Sequence, residues 1–207
     1  MATPATRVAA VILAAGEARR FGRQKLTVPL GDRPLLQHVL DAANASSLSP
    51  VVLVVGASAD EILARVALGR ARAVHNAAYA SGQASSLQAG LRAVDDEAEA
   101  AVVLLGDQPR VTAALLEALV ARHRESGAVA VSSAREGRRM PPALLHRDLW
   151  PAVHALQGDV GAREVLAGRD DVAVVEVDAR LGALDDIDTP EDHARLAGGT
   201  RSGARSG

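Results

Sequence analysis

The chain has 207 residues, a formal net charge of −2 and no cysteine, which excludes disulfides, cysteine-ligated metals, a thiol nucleophile and a basic nucleic-acid-binding surface. Hydrophobic residues make up 48% of the chain but aromatic residues only 1%, so alanine, valine and leucine must build the core. The lack of cysteine is compatible with the cytoplasm, where we expect the protein, and no apolar stretch is long enough to span a bilayer. Scarce aromatic residues and the lack of a basic block outside the first loop predict no nucleic-acid partner.

Predicted strands and helices alternate along the chain. Apolar runs predict strands at residues 8–13, 51–55, 72–75, 101–105, 128–131 and 172–177. Helices are predicted at residues 34–43, after a Ser58–Glu61 capping box, from about residue 87, at 112–124, 149–156 and 160–166, and from Thr189 onward. Residues 135–142, which contain two prolines, are predicted to form a polar loop. This alternation favours an α/β fold with a mostly parallel sheet covered by helices on both faces.

The domain organisation follows from the same pattern. We find no internal repeat and no linker, so residues 1–197 are predicted to form a single domain. Residues 198–207 are rich in glycine, serine and arginine and are predicted to be a disordered tail.

The loop after the first predicted strand carries the strongest functional signal. Gly16 and Gly22 allow backbone N–H groups to approach phosphate oxygens, and Arg20 and Lys25 can neutralise the charge of the phosphates. Lys25 is the only lysine among 23 lysines and arginines, and a flexible point charge suits a moving phosphate. The pattern is neither a Walker A loop nor a dinucleotide fingerprint. The alternative is an ordinary solvated basic loop, but the combination favours phosphate binding.

Two later segments also follow predicted strands, where ligands bind in open parallel sheets. Residues 76–86 offer hydroxyl and amide groups at a helix start for a nucleotide, although a serine-capped loop is the simpler interpretation. Residues 106–109 place Asp107 at a strand tip, where it can hold Mg²⁺ beside a phosphate. The alternative for Asp107 is a turn aspartate that bonds its own backbone.

The C-terminal third contains two further candidate segments. Residues 158–163 suit a second anionic substrate, or form a plain glycine-rich connection. Three carboxylates at residues 185–188 repel one another unless a cation lies between them. Because Asp188 or Thr189 can cap a helix, the metal role goes first to Asp186. The histidines lack metal-binding spacing, and three of them are predicted to be surface residues: His123, His146 and His154.

Taken together, these motifs resemble the MobA-like nucleotidyltransferase family, and within it most of all the CTP:molybdenum cofactor cytidylyltransferases. Six segments carry the resemblance in family order, at residues 13–25, 34–36, 82–87, 106–109, 158–163 and 186–192. The resemblance implies a three-layer, Rossmann-like fold of the nucleotide-diphospho-sugar transferase type. It also implies Mg²⁺-dependent transfer of CMP from CTP to a phosphorylated acceptor, molybdopterin or molybdenum cofactor, with release of pyrophosphate.

The resemblance also implies roles for individual residues. Catalytic roles fall to Lys25, Arg20 and Asp107, and Mg²⁺ binding to Asp107 and Asp186. The implied nucleotide-binding residues are Leu13, Ala14, Ala15, Gly16, Lys25, Asn76, Gly82, Ser85 and Ser86. The implied acceptor-binding residues are Gln108, Asp159, Gly161, Arg163 and Asp188. Candidate protein partners are a molybdoenzyme or its maturation chaperone.

Several alternatives stay open at this point. Arg139-Met140-Pro141-Pro142 stands where family members often carry Gly-His-Pro or Gly-Asn-Pro, so the acceptor is the least supported part of the resemblance. Guanylyl-transferring relatives usually have L-A-G-G where this chain has L-A-A-G, which favours CTP over GTP. The other candidates are a relative that uses another NTP, a non-catalytic cofactor-delivery protein and a nicotine-blue-type oxidoreductase. Intact Lys25 and Asp107 argue against a non-catalytic protein, and the lack of a dinucleotide fingerprint argues against an oxidoreductase.

Overall fold

A seven-stranded sheet separates two helical layers in the computed structural model, which describes residues 7–16 and 21–199. The strands are β1 (Arg7–Ala14), β2 (Pro29–Leu30), β3 (Arg33–Pro34), β4 (Val51–Val55), β5 (Arg72–His75), β6 (Ala98–Leu105), β7 (Ala130–Arg135), β8 (Arg138–His146) and β9 (Val172–Glu176). The helices are α1 (Leu35–Ala45), α2 (Ala59–Leu63), α3 (Gln83–Ala93), α4 (Ala113–Ser126), α5 (Trp150–His154), α6 (Ala162–Leu166) and α7 (Pro190–Gly199).

The sheet order is β5-β4-β1-β6-β8-β7-β9. Neighbouring strands are parallel except at β8, which runs antiparallel to both β6 and β7. Strands β2 and β3 form a separate two-stranded sheet. The predicted three-layer, mostly parallel α/β fold is therefore confirmed. Among the described residues, no helix combines the length and the apolar character that crossing a bilayer requires.

The central strand β1 shows why the apolar runs predicted buried strands. Ala10 and Ile12 lie in the core beneath α1 and α4, whereas Ala9 and Val11 lie in the core beneath α3 and α5. Successive side chains of a strand point to opposite faces, so a strand between two helical layers needs apolar residues at every position. The predicted site residues therefore lie in loops at the ends of the sheet or close to them.

The structure corrects the predicted loop at residues 135–142. Most of it belongs to β8, which forms a hairpin with β7 through a turn in which Glu136 and Gly137 have positive φ angles of 53° and 76°. Ser132 pairs with Ala143 and Ser133 pairs with Met140, so the prolines at 141 and 142 fall at an irregularity in the register. A bulge needs no N–H from these residues, which is how the strand tolerates two prolines.

Two smaller predictions are also wrong. Ser58 makes no side-chain capping bond, and Glu61 instead accepts a hydrogen bond from the Thr27 hydroxyl at 2.8 Å. His123 is buried, because Gly127 turns the chain after α4 and brings the Ala128 carbonyl oxygen within 2.9 Å of its Nδ1. The predicted disordered tail begins at residue 198, whereas helix α7 extends to Gly199. The rest of the predicted tail, residues 200–207, lies outside the described part of the chain.

Candidate active site

A cavity of about 840 Å³ opens at the carboxyl ends of β1 and β6, beside the start of α3. Ten predicted site residues line it: Leu13, Ala14, Ala15, Gly16, Lys25, Gly82, Ser86, Asp107, Asp159 and Asp188. Six residues outside the predicted set complete the wall: Gln24, Leu26, Tyr79, Ala80, Gln83 and Leu105. The cavity therefore brings together segments that are far apart in the sequence.

Lys25 lies between two aspartates at the charged end of this cavity. Its Nζ donates hydrogen bonds to Asp107 Oδ2 at 2.7 Å and to Asp188 Oδ1 at 2.9 Å. Burial opposes the charge on Lys25, but the charges and hydrogen bonds of Asp107 and Asp188 outweigh burial and raise its pKa. Lys25 is therefore a fixed cation at neutral pH.

Gln24 and Thr27 fix the short 3₁₀ helix Lys25–Thr27. The Gln24 side chain accepts a hydrogen bond from Leu26 N at 3.1 Å and donates a long one to the Gly16 carbonyl oxygen at 3.5 Å. The Thr27 hydroxyl bonds Glu61. Gln24 is a functional candidate that the sequence reasoning missed, and its place next to the lone lysine is the only signal that pointed to it.

Asp107 stands where β6 leaves the sheet. The backbone nitrogen of Gly106 donates to the Leu13 carbonyl oxygen at 3.0 Å, and that of Ile187 donates to the Asp107 carbonyl oxygen at 3.1 Å. The carboxylate oxygen that faces away from Lys25, Oδ1, is buried and has no hydrogen-bond partner. Such an orphaned oxygen is costly unless a cation or donor binds it, so the group fits a metal ligand.

Asp186 is the second predicted metal ligand. Desolvation by the surrounding protein, and then the negative charge of Asp107, raise the pKa of Asp186 to about 6, although its side chain still reaches solvent. Across residues 7–16 and 21–199, no three acidic, histidine or cysteine side chains form a ready metal cluster. Mg²⁺ commonly takes only one or two protein carboxylates and completes its shell with water and substrate phosphates. Asp107 and Asp186 meet that requirement.

Three predicted site residues hold the walls of the site without lining the cavity. Gln108 is completely buried, and its amide donates to the carbonyl oxygens of Pro141 at 3.4 Å and Leu184 at 3.1 Å. Contact between Gln108 and an acceptor would require this loop to move. Asn76 donates to the hydroxyls of Ser85 and Ser86 and accepts from Ala78 N, so it fixes the loop before α3. Ser85 in turn bonds backbone carbonyls in that loop.

The predicted acceptor loop packs against the start of α3. The backbone nitrogen of Ala84 donates to the Gly158 carbonyl oxygen at 3.2 Å. Gly82 has a φ of +109°, and a Cβ there would lie 2.2 Å from the Gly158 carbonyl carbon, so only glycine fits. Gly161 lies against the Gln83 side chain, and Arg163 lies in α6, exposed and outside the cavity wall. Arg20 lies outside the described residues, so its role stays a prediction.

The chain matches one family model and is similar to several known proteins. Residues 10–174 match the family model described as the MobA-like NTP transferase domain. The purine catabolism protein PucB of Bacillus subtilis (strain 168) is 36% identical over 192 residues, which cover 88% of this chain and 92% of PucB. Nicotine blue oxidoreductase of Paenarthrobacter nicotinovorans is 31% identical over 196 residues, which cover 91% of this chain and 96% of that protein.

Solved structures show the same architecture. A homologue of Mycobacterium tuberculosis Rv0371c from Mycobacterium sp. strain JC1 superposes with a TM-score of 0.82 at 34% identity, covering 95% of this chain and 98% of that one. Rv0371c of Mycobacterium tuberculosis H37Rv in complex with manganese superposes with a TM-score of 0.74 at 28% identity, covering 94% of this chain and 99% of that one.

Proposed function

Because this chain belongs to the MobA-like NTP transferase domain family and is a nucleotidyltransferase, we propose that it transfers CMP from CTP to molybdopterin or molybdenum cofactor and releases pyrophosphate. The observation that carries the proposal is Lys25, held by Asp107 and Asp188 at the charged end of a cavity whose wall includes the backbone of residues 13–16. This arrangement suits a triphosphate.

The proposed reaction needs no strong general base. A phosphate oxygen of the acceptor attacks the α-phosphorus of the nucleotide, and the bond from that phosphorus to the bridging oxygen breaks. The electron pair of this bond leaves with pyrophosphate. Since the nucleophile is already an anion, positioning and charge neutralisation supply the catalysis. Lys25 contributes a protonated amine to the triphosphate, and Asp107 and Asp188 fix its starting position.

Asp107 and Asp186 would hold Mg²⁺ in this proposal. The orphaned Oδ1 of Asp107 and the mutual repulsion of the two carboxylates both favour a cation there. When bound, Mg²⁺ supplies charge neutralisation and Lewis acidity at the phosphates. The manganese complex of Rv0371c supports a divalent cation in this family, and we extend that to Mg²⁺ here.

Fewer observations support the proposed identities of the nucleotide and the acceptor. Ala15 in the L-A-A-G segment supports CTP. Its methyl group narrows the space for the base, where guanylyl-transferring relatives with L-A-G-G have a glycine. Asp159 lines the cavity, and Gly161 lies against Gln83, which also lines it, so we propose that the acceptor binds along residues 158–163. A molybdoenzyme or its maturation chaperone would receive the product. We propose a cytoplasmic location and one domain over residues 1–197.

The decisive experiment is a substrate screen. The purified protein is incubated with each NTP, Mg²⁺ and molybdenum cofactor, and pyrophosphate release is measured. CTP-dependent release that is lost in Asp107→Asn is the expected result. A parallel arm contains NAD(P)H and an oxidised dye, because nicotine blue oxidoreductase is 31% identical to this chain. Absence of pyrophosphate with every NTP, or NAD(P)H oxidation in the parallel arm, would overturn the proposal.

A further inference from the structure

Tyr79 is the one aromatic side chain of the described residues that lines the cavity. The other aromatic residues lie elsewhere, Phe21 in the core beneath α1 and Trp150 in the core beneath α3. Tyr79 is partly buried and packs against the second of these cores while it still lines the cavity. We propose that Tyr79 binds the base of the nucleotide by stacking, which makes it a binding residue that none of the motifs singled out.

The sheet topology places Tyr79 at the right distance from the phosphate-binding groups. Gly56 follows β4, and a Cβ on Gly56 would lie 2.8 Å from Tyr79 Cβ, so Tyr79 lies directly over the end of β4. Asp107 follows β6, and β4 and β6 flank β1 on opposite sides. Two strand spacings separate the two ends by about 10 Å. A nucleotide with its phosphates at Lys25 therefore brings its base to Tyr79.

Hydrogen bonds within the protein hold the loop that carries Tyr79. Asn76 Oδ1 accepts a hydrogen bond from Ala78 N at 3.0 Å, and Asn76 Nδ2 donates to the hydroxyls of Ser85 and Ser86 at 2.9 and 3.0 Å. Gly56 keeps the contact close, because any larger residue would push Tyr79 and Ala15 apart from β4. A preorganised aromatic side chain loses little entropy when a flat ligand stacks on it.

Stacking explains affinity for a base and leaves the choice of base to other groups. Every nucleobase has a π-face, and stacking on an aromatic side chain is sequence-tolerant. The inference rests on nucleotide binding in the proposed function, but not on the choice of CTP. It predicts that Tyr79 responds to whichever nucleotide the cavity accepts.

The single tyrosine of the chain allows a direct test. The full-length protein is labelled with 3-fluorotyrosine, which gives one ¹⁹F resonance, and is titrated with CTP, GTP, ATP and inorganic tripolyphosphate, while calorimetry measures binding. We expect the resonance to shift with each nucleotide that binds and to stay unchanged with tripolyphosphate. Calorimetric binding of a nucleotide without a shift would overturn the inference. A shift with GTP but not CTP would contradict the cytidylyl proposal and support the role of Tyr79.

Two substitutions separate stacking from packing. Tyr79→Phe keeps the ring and should bind nucleotides within about twofold of wild type, whereas Tyr79→Leu should weaken nucleotide affinity roughly tenfold or more. Tripolyphosphate affinity should be unchanged in both variants. Equal losses of nucleotide and tripolyphosphate affinity in Tyr79→Leu would assign Tyr79 a purely structural role and overturn the inference. If Tyr79→Leu does not fold, the fluorine titration of the labelled wild-type protein decides alone.

Discussion

The two ends of the cavity differ in their interactions: charged groups form one end, and apolar packing forms the other. At the charged end, Asp107 and Asp188 both accept hydrogen bonds from Lys25, and Asp107 keeps one buried oxygen without a partner. At the base end, Ala15, Gly56 and Tyr79 are in close apolar contact. Charges that neutralise one another can exchange partners when phosphate or metal arrives, whereas a packed apolar wall cannot rearrange cheaply. We therefore expect substitutions at the charged end to reduce turnover. At the base end, we expect substitution of Tyr79 to reduce nucleotide affinity and substitution of Ala15 to change selectivity.

The largest expected effect is at Asp107. Asp107→Asn and Asp107→Ala should each reduce Mg²⁺-dependent transfer by at least about a hundredfold, because each removes a carboxylate aimed at the reacting phosphates. The melting temperature should change little, since Lys25 keeps its bond to Asp188 in both variants and Asp107→Ala also removes the orphaned oxygen. Pyrophosphate release and thermal melting measure the two quantities.

Asp185→Asn is the matched control for Asp107. Asp185 is also an acidic residue near the site, but it is exposed and pairs with Arg135 at 3.1 Å. The activity of Asp185→Asn should stay within about twofold of wild type, because an exposed ion pair contributes little. Near-normal turnover in Asp107→Asn would contradict the metal role, and a melting curve that collapses together with activity would assign Asp107 to the structure alone.

Lys25→Arg should be the second largest effect. A guanidinium is bulkier than an ammonium and prefers planar, bidentate partners, so it should not reproduce bonds of 2.7 and 2.9 Å to two separate aspartates. We expect kcat/KM to fall more than about tenfold, which is roughly 1.4 kcal/mol of transition-state stabilisation. The control is Arg33→Lys, because Arg33 is an exposed cation paired with Asp41. This variant should leave kcat/KM unchanged. Equal activity of wild type and Lys25→Arg would show that only charge matters at this position.

The sequence predicted the framework better than it predicted the contacts. Strands β4 and β5 were predicted with their observed bounds. For β4 the reason is that a strand between two helical layers is recorded locally as an apolar run, whereas β5 is an edge strand with exposed ends. The hydrogen bond between Lys25 and Asp188 joins residues 163 positions apart, so no local sequence pattern could predict it. Asp188, which the family resemblance assigns to acceptor binding, also accepts a hydrogen bond from Lys25, and its role toward the acceptor stays a prediction.

Local rules also failed where tertiary contacts override them. Two prolines indicated a loop, but a register irregularity lets β8 carry them. Residues 76–86 were considered for their hydroxyl and amide groups and not for Tyr79, and only the fold brings Tyr79 over Gly56. A lone aromatic residue between a strand and a helix start, in a chain with only 1% aromatic residues, is the signal that could have found it.

A moderate effect is expected at Ala15, at the base end of the cavity. The Ala15 methyl group lies against Gly56 in the core beneath α3, whereas the Ala14 methyl group belongs to the core beneath α1. Ala15→Gly should shift the CTP-to-GTP ratio of kcat/KM toward GTP by about tenfold, because one methyl group in a packed slot is worth ~1–3 kcal/mol. Competition between CTP and GTP measures the ratio.

Ala14→Gly is the control for Ala15, since it makes the same chemical change on the opposite side of the strand. Its ratio should stay close to that of wild type. A similar shift in both variants would indicate backbone freedom instead of the slot. A wild-type preference for GTP would refute the cytidylyl assignment, and an unchanged ratio in Ala15→Gly would remove the steric reason for it.

The smallest expected effect concerns the stability of the charged end and its dependence on pH. The pKa of Asp186 is about 6 in the folded protein, against an ordinary value of 3.8. Between these values the native state binds more protons than the unfolded chain, so this group makes the free energy of unfolding fall as pH rises from about 4 to about 6. Because the side chain reaches solvent, the loss should stay below ~1 kcal/mol.

Asp186→Asn isolates this contribution from the other carboxylates. Urea unfolding in EDTA at pH 4.5 and pH 7.5 should show a smaller loss of stability with rising pH for Asp186→Asn than for wild type, and Asp185→Asn should behave like wild type. An equal pH dependence in wild type and Asp186→Asn would mean that neither burial nor the charge of Asp107 raises the pKa of Asp186 in the folded protein. Adding Mg²⁺ at pH 7.5 should stabilise wild type more than Asp186→Asn, because a bound cation removes the repulsion that raises this pKa.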